Sequence, residues 1–220
     1  MNGAASLDPG GLSPPGSLSP AAATEGATPF RFCGVDLLAE ASGALIWPAA
    51  GLVAVADLHL EKGSAFAARG TLLPPYDTAA TLGRLERLVA AWSPRQVVCV
   101  GDSFHDVRAA ARLDAADALR ISRLTAACDW VWIAGNHDPL PPLAWGGRVS
   151  EGVDVGPLHF RHEALPAAVF GEVSGHYHPK ARVRVRGGGR SGRCFIADRH
   201  RLILPAFGAF AGGLDVLDPA

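Results

Sequence analysis

Val97-Val-Cys-Val-Gly-Asp-Ser-Phe-His105 is a β-branched apolar run that stops at Gly101 and presents Asp102 as the chain leaves it. A short run of this kind suits a strand buried on both faces, and ligand-binding groups in such sheets collect at the carboxyl ends of the strands. The same grammar recurs in Leu52-Val-Ala-Val-Ala-Asp57-Leu-His59, in Trp130-Val-Trp-Ile-Ala-Gly135-Asn136-His137-Asp138 and in Val169-Phe-Gly-Glu-Val-Ser-Gly175-His176-Tyr-His178. Four apolar runs ending in His, Asp or Asn are hard to explain by packing, because such groups are costly to bury without a partner. Carboxylate, imidazole and amide oxygen together suit Mn2+, Fe2+ or Zn2+ better than a thiolate-seeking ion. Asp102 reads as the centre of a two-metal site.

Working outward, Leu60 to Ala68 predicts a short helix, and Pro74-Pro75 punctuates the chain before Asp77, a good N-cap. The helix that follows should reach about Trp92, with Leu82, Leu85, Val89 and Trp92 forming one apolar stripe. A second helix is expected over Arg108 to Ala127, carrying Leu113, Leu119 and Leu124. Upstream, Phe30 to Ala39 and Ala44 to Trp47 read as the two arms of a hairpin around Ser42-Gly43. Strand and helix therefore alternate through the first two-thirds, which argues for an α/β fold with at least partly parallel strands. Beyond Pro139 the pattern turns to short strands, predicting a second, more antiparallel sheet that closes over the first.

At 220 residues the chain is long enough for one domain with a substantial core and too short for two full ones. Residues 1–29, a Gly, Pro, Ser and Ala tract, lack the apolar content to offset ordering entropy and are expected to be a disordered tail, leaving 30–220 as the folded domain. A formal net charge of −1 shows no global basic bias, so a nucleic-acid partner has to be argued from local features. The four cysteines are widely spaced without a Cys-x-x-Cys pair, so neither a zinc ribbon nor a disulfide framework is indicated and a reducing cytosol fits best. Leu202 to Leu214, the longest apolar segment, is too short to span a membrane and is interrupted by Pro205. The first 29 residues do not read as a secretory signal, and the expected location is cytoplasmic.

Asp57-x-His59, Gly101-Asp102, Gly135-Asn136-His137-Asp138, a lone His, and Gly175-His176-x-His178, in that order, resemble the motif series of the calcineurin-like metallophosphoesterases over roughly Val53 to His178. The resemblance implies an α/β fold of two mixed β-sheets packed as a sandwich and flanked by helices. It implies that Asp57, His59, Asp102 and His178 hold one divalent cation and that Asp102, Asn136, His162 and His176 hold a second, with Asp102 bridging. Two cations about 4 Å apart repel, and a shared carboxylate and hydroxide between them offset that repulsion. His137 would be the imidazole that faces substrate, so Asp102 and His137 are the expected catalytic pair. The lone His is His162 or His159; three positions apart in a strand they point to opposite faces, and His162 is preferred because His-Glu after a strand matches the family better. His105 and Asp138 are expected to support the site or touch substrate. Lys62 and Arg69 could steady a phosphate or belong to a solvated face.

A finer likeness covers about Phe30 to Val216. Ala56-Asp-Leu-His-Leu-Glu-Lys-Gly-Ser64, Leu73-Pro-Pro-Tyr-Asp-Thr78, Gly101-Asp-Ser-Phe-His-Asp106, Gly175-His-Tyr-His-Pro179 and Leu204-Pro-Ala-Phe-Gly-Ala-Phe-Ala-Gly-Gly213 are similar to the bacterial ligase-associated DNA-damage-response endonucleases. This resemblance implies Mn2+-dependent cleavage of DNA phosphodiesters by a two-metal-activated hydroxide, in functional association with a DNA ligase and a helicase. Independently, Arg182, Arg184 and Arg186 alternate along one strand, and Arg190 and Arg193 return beside them, so this ribbon could contact phosphates or be a solvated hairpin. Two rivals stand beside DNA cleavage. One is a phosphoesterase for a small phosphorylated metabolite or nucleotide, which the near-neutral charge favours. The other is a catalytically silent interaction scaffold, which the filled ligand positions disfavour.

Overall fold

In the computed structural model, which describes residues 26–217 apart from 168 and 187, seven strands form one sheet in sequence order. They are β1 (Ala27–Phe32), β2 (Val35–Glu40), β3 (Leu45–Trp47), β4 (Leu52–Ala56), β5 (Gln96–Val100), β6 (Asp129–Ile133) and β7 (Arg148–Ser150). The first four pair antiparallel as a meander, and β4 to β7 pair parallel. The crossover from β4 to β5 carries α1 (Lys62–Ala67) and α2 (Asp77–Trp92); that from β5 to β6 carries α3 (Ala109–Arg112) and α4 (Ala115–Ala127). A five-stranded sheet follows from β8 (Gly152–Val155), β9 (Leu158–Arg161), β10 (Glu172–Ser174), β13 (Ile196–Ala197) and β14 (Arg201–Ile203). A three-stranded sheet, not expected from the sequence, joins β11 (Pro179–Val185), β12 (Gly188–Arg193) and β15 (Leu214–Asp215).

The period-two alternation of β4, β5 and β6 sorts their side chains into two cores. Val53, Val55, Val97, Cys99, Trp130 and Trp132 pack in one cluster with Leu82, Leu85, Leu88 and Trp92 of α2 and with Ile121 and Leu124 of α4. Ala54, Ala56, Val98, Val100, Val131 and Ile133 share the other with Val153, Leu158, Phe160, Val173 and Leu202 of the five-stranded sheet and with Leu204 just after it. These strands are buried on both faces, and each fully buried aliphatic side chain contributes about 1.5–3 kcal/mol. The result is a rigid strand bundle whose carboxyl ends are fixed.

Several local expectations need correction. Of the expected tail, 1–25 lie outside the described residues, whereas Ala27 to Pro29 already belong to β1. Phe30 to Ala39 is not one arm but two strands joined at Cys33-Gly34, both left-handed (φ 47° and 86°), as a two-residue hairpin turn requires. The helix expected over Arg108 to Ala127 breaks at Leu113-Asp114, because Asp114 caps α4 by accepting from the Asp117 amide at 2.8 Å. The stripe shifts accordingly: Leu119 is exposed, and Ile121 takes its place. Asp77 is the first residue of α2 rather than its cap, and its carboxylate accepts from the Gly63 amide at 2.9 Å. In α2 the expected stripe packs on the sheet, Val89 half-buried, and Leu88 joins it as a buried member. The five-stranded sheet is mixed, β10 pairing parallel to both β9 and β14, and so is no more antiparallel than the first.

Candidate metal centre

The loops that leave β4, β5 and β10 turn abruptly. Asp57, His59, Asp102, His176 and His178 all have positive φ, between 45° and 70°. A left-handed non-glycine residue costs on the order of 1–3 kcal/mol and persists only where its surroundings over-determine it. Here they do: the His59 and Leu60 amides donate to the Asp102 and Ser103 carbonyls, both at 2.9 Å, and the His105 amide donates back to Leu60 at 2.9 Å. The two exits are laced into one platform. Two glycines make the close approach possible, since a Cβ at Gly101 would overlap the His162 imidazole and one at Gly135 would overlap the Asp102 carboxylate.

On this platform Asp57, His59 and His178 each offer a ligand atom within 4.8 Å of the others, and so do Asp102, His162 and His176. Asn136 joins the second group, its Oδ1 lying 2.8 Å from His162 Nε2 and 3.1 Å from His176 Nδ1. Asp102 stands between the two. Its Oδ1 is 3.5 Å from His162 Nε2, and its Oδ2 is 4.0 Å from His59 Nε2. All seven residues that the sequence analysis singled out as ligands therefore converge, including His162. His159 instead faces Asp154 at 2.8 Å.

The donor set fits divalent cations. Imidazole nitrogens face one another at 3.3 Å between His59 and His178 and at 3.2 Å between His162 and His176, with carboxylate and amide oxygens beside them. Burial pushes the His59 pKa down to about 2, helped by His178, His137, His105 and Lys62. His59 is therefore neutral, its approach to Asp102 is not an ion pair, and its lone pair is free to bind a cation at neutral pH. Nitrogen and oxygen donors without a thiolate suit a borderline or hard divalent ion.

His137 is aimed by two bonds: its amide donates to Asp102 Oδ1 at 2.9 Å, and its ring Nδ1 lies 2.8 Å from the His105 carbonyl. A carbonyl only accepts, so Nδ1 carries the proton and Nε2 is left for chemistry. His105 is buried, its ring 5.2 Å from that of His137 and 5.5 Å from that of His59, and burial lowers its pKa to about 4. His59, His105 and His137 form a third group with converging ligand atoms. Asp138 is 2% exposed and cannot meet substrate; it accepts from the Phe104 amide at 3.0 Å, and burial raises its pKa to about 8. Lys62 is half-buried at the start of α1, and burial lowers its pKa. Arg184 and Arg186 are exposed on the β11–β12 hairpin and do not join the cluster.

Two supports were not foreseen. The buried Glu61 carboxylate accepts from Thr78 Oγ1 at 2.9 Å and Ser64 Oγ at 2.6 Å, which fixes the loop between His59 and α1. The segment after β14 runs beside Asp57: the Phe207 and Gly208 amides donate to the Ala56 and Asp57 carbonyls at 2.8 and 3.1 Å, while Arg84 and Arg193 donate to the Phe207 carbonyl. Periodicity carries no trace of either; the one available signal was a Glu and a Gly-rich stretch inside the quoted motifs.

No protein-family model matches the chain, and no curated protein matches it. Among solved structures, the crystal structure of the Pseudomonas putida nuclease MPE is similar, with a TM-score of 0.71 and 31% sequence identity. The match covers 88% of this chain and 93% of that one. Among the described residues no helix is long and apolar enough to cross a membrane.

Proposed function

This chain and the Pseudomonas putida nuclease MPE belong to one family, and from that premise we propose that it is a divalent-metal-dependent phosphodiesterase that cleaves DNA, built on the two-sheet sandwich of the calcineurin-like metallophosphoesterases. The observation that carries the reading is Asp102, whose two carboxylate oxygens face two separate groups of histidines. Asp57, His59, Asp102 and His178 would hold one cation, and Asp102, Asn136, His162 and His176 the other, with Mn2+ the proposed ion. Bound there, a cation pair lowers the pKa of water and neutralises charge on a phosphoryl group.

The chain's own residues do the rest. Gly101 and Gly135 let the ligands close on one point, and the laced exits of β4 and β5 hold them without reorganisation. His137, fixed through Nδ1, presents Nε2 to the phosphate, where it stabilises developing charge or protonates the leaving oxygen. Asp138 holds the Phe104 amide and so positions the His105 carbonyl that orients His137. The resemblance of the sequence motifs to the ligase-associated endonucleases supports a role in DNA damage response, in functional association with a DNA ligase and a helicase.

The test is hydrolysis of a DNA oligonucleotide and of an aryl phosphodiester by protein stripped with a chelator and then given Mn2+. Activity absent without metal, restored by Mn2+, and lost in Asp102→Ala and His176→Ala is the expected result. Near-normal turnover by either variant would overturn the assignment.

A further inference from the structure

Nothing so far says where the polynucleotide lies once one phosphodiester is at the metal centre. We propose that the groove between α1 and α3 binds the sugar–phosphate backbone on one side of the scissile bond. The inference rests on the phosphodiesterase reading and deepens it. The groove encloses about 280 Å³ and is lined by Arg69, Asp106, Val107, Arg108 and Arg112 among others. Three guanidinium groups stand against one carboxylate. The Asp106 charge is already used: Arg112 donates to it at 2.8 Å and to Ser64 Oγ at 2.9 Å, which also fixes the groove floor. Arg69 and Arg108 are exposed and make no ion pair among the described residues, so two cations remain for phosphates. Val107, 73% exposed beside them, offers an apolar contact for a sugar or base.

The groove is continuous with the reaction centre. Asp106 follows His105 directly, and the Phe66 ring of α1 lies 5.8 Å from the His105 ring. The arginine-rich hairpin is a poorer candidate for the adjacent phosphates. Arg184 lies six residues beyond His178, near the far end of β11 and up to about 20 Å along an extended strand at about 3.3 Å per residue, and Arg186 sits past the strand in the hairpin turn. Arg193 folds back onto the Phe207 and Gly208 carbonyls. A chain with a net charge of −1 can thus keep a local cationic track leading out of the site.

The experiment compares Mn2+-loaded wild type, Arg69→Ala/Arg108→Ala and Arg184→Ala/Arg186→Ala on an oligonucleotide and on an aryl phosphodiester. In the groove variant the ratio of oligonucleotide to aryl diester turnover falls about tenfold, and the slope of log affinity against log salt becomes shallower by about one to two. In the hairpin variant the same ratio moves less than twofold. A wild type active on both substrates whose ratio survives the groove substitutions, or falls only with the hairpin ones, overturns this inference alone. A wild type that hydrolyses neither substrate overturns the phosphodiesterase reading and this inference together.

Discussion

The backbone amide of His176 donates to both carboxylate oxygens of Asp57, at 2.9 and 3.1 Å, and so ties the end of the five-stranded sheet to the end of the seven-stranded one. The bond exists because residue 175 is glycine: a Cβ there would stand 2.8 Å from Asp57 Oδ2 and from Ala56 Cβ, and 2.9 Å from the Val100 carbonyl. Gly175→Ala must push the two sheets apart at the cation site. It should destabilise the fold by about 1–3 kcal/mol and weaken Mn2+ binding, because Asp57 and His176 belong to the two different groups proposed to hold cations. Thermal melting with and without Mn2+ reads both effects, and a variant with unchanged metal-induced stabilisation would contradict the coupling.

His137 separates binding from chemistry. Its bonds run to Asp102 and to the His105 carbonyl, and none of the proposed cation ligands depends on its ring. His137→Ala should therefore retain both cations by metal analysis while losing about a hundredfold to ten-thousandfold in turnover. Loss of one cation would instead assign His137 to the His59 and His105 group.

The strand-to-ligand grammar was legible because burial on both faces and polar strand ends both leave traces in one dimension. Val97 to Val100 shows an unbroken apolar run, and Asp102 follows at once. Period-two alternation also put His159 and His162 on different faces, so that only one could reach the centre, while the preference for His162 rested on the resemblance alone. What escaped was decided by local backbone detail. Asp114 splits a helix whose apolar periodicity looked continuous, and Cys33 enters a left-handed turn more often filled by Asn. Arginines show both cases: Arg182, Arg184 and Arg186 alternate along the β11–β12 hairpin as their spacing suggests, whereas Arg69 and Arg108 line one groove only through the fold.

Glu172 shows how the second sheet is held beneath the site. Its carboxylate is fully buried, 2.8 Å from Arg201 Nε and 3.3 Å from Arg161 Nε, and it accepts from the Leu165 amide at 2.9 Å. Removing the carboxylate takes the counter-charge from two half-buried guanidinium groups, although Arg201 keeps the Leu165 and Ala167 carbonyls as acceptors. Glu172→Ala should cost about 3–5 kcal/mol, measured by urea denaturation of the metal-loaded protein. A loss below 1 kcal/mol would mean that solvent already screens the arginines.

Acid should act on the helical layer through Glu86 and Arg120, which join α2 to α4 by two hydrogen bonds of 2.7 and 2.9 Å. The Arg120 guanidinium holds the Glu86 carboxyl below its ordinary value of 4.5. A carboxyl whose folded pKa is depressed binds protons more weakly folded than unfolded, so its contribution is complete above the unfolded value and disappears as pH falls through the folded one. The pair is partly exposed, with Glu86 at 42% and Arg120 at 24%, so salt and water reduce its worth. Melting temperature followed from pH 6 downward should fall less steeply below about pH 4.5 in Glu86→Gln than in the wild type, and the difference should shrink in high salt. Parallel curves for the two proteins would show that the α2–α4 contact depends on its apolar residues alone.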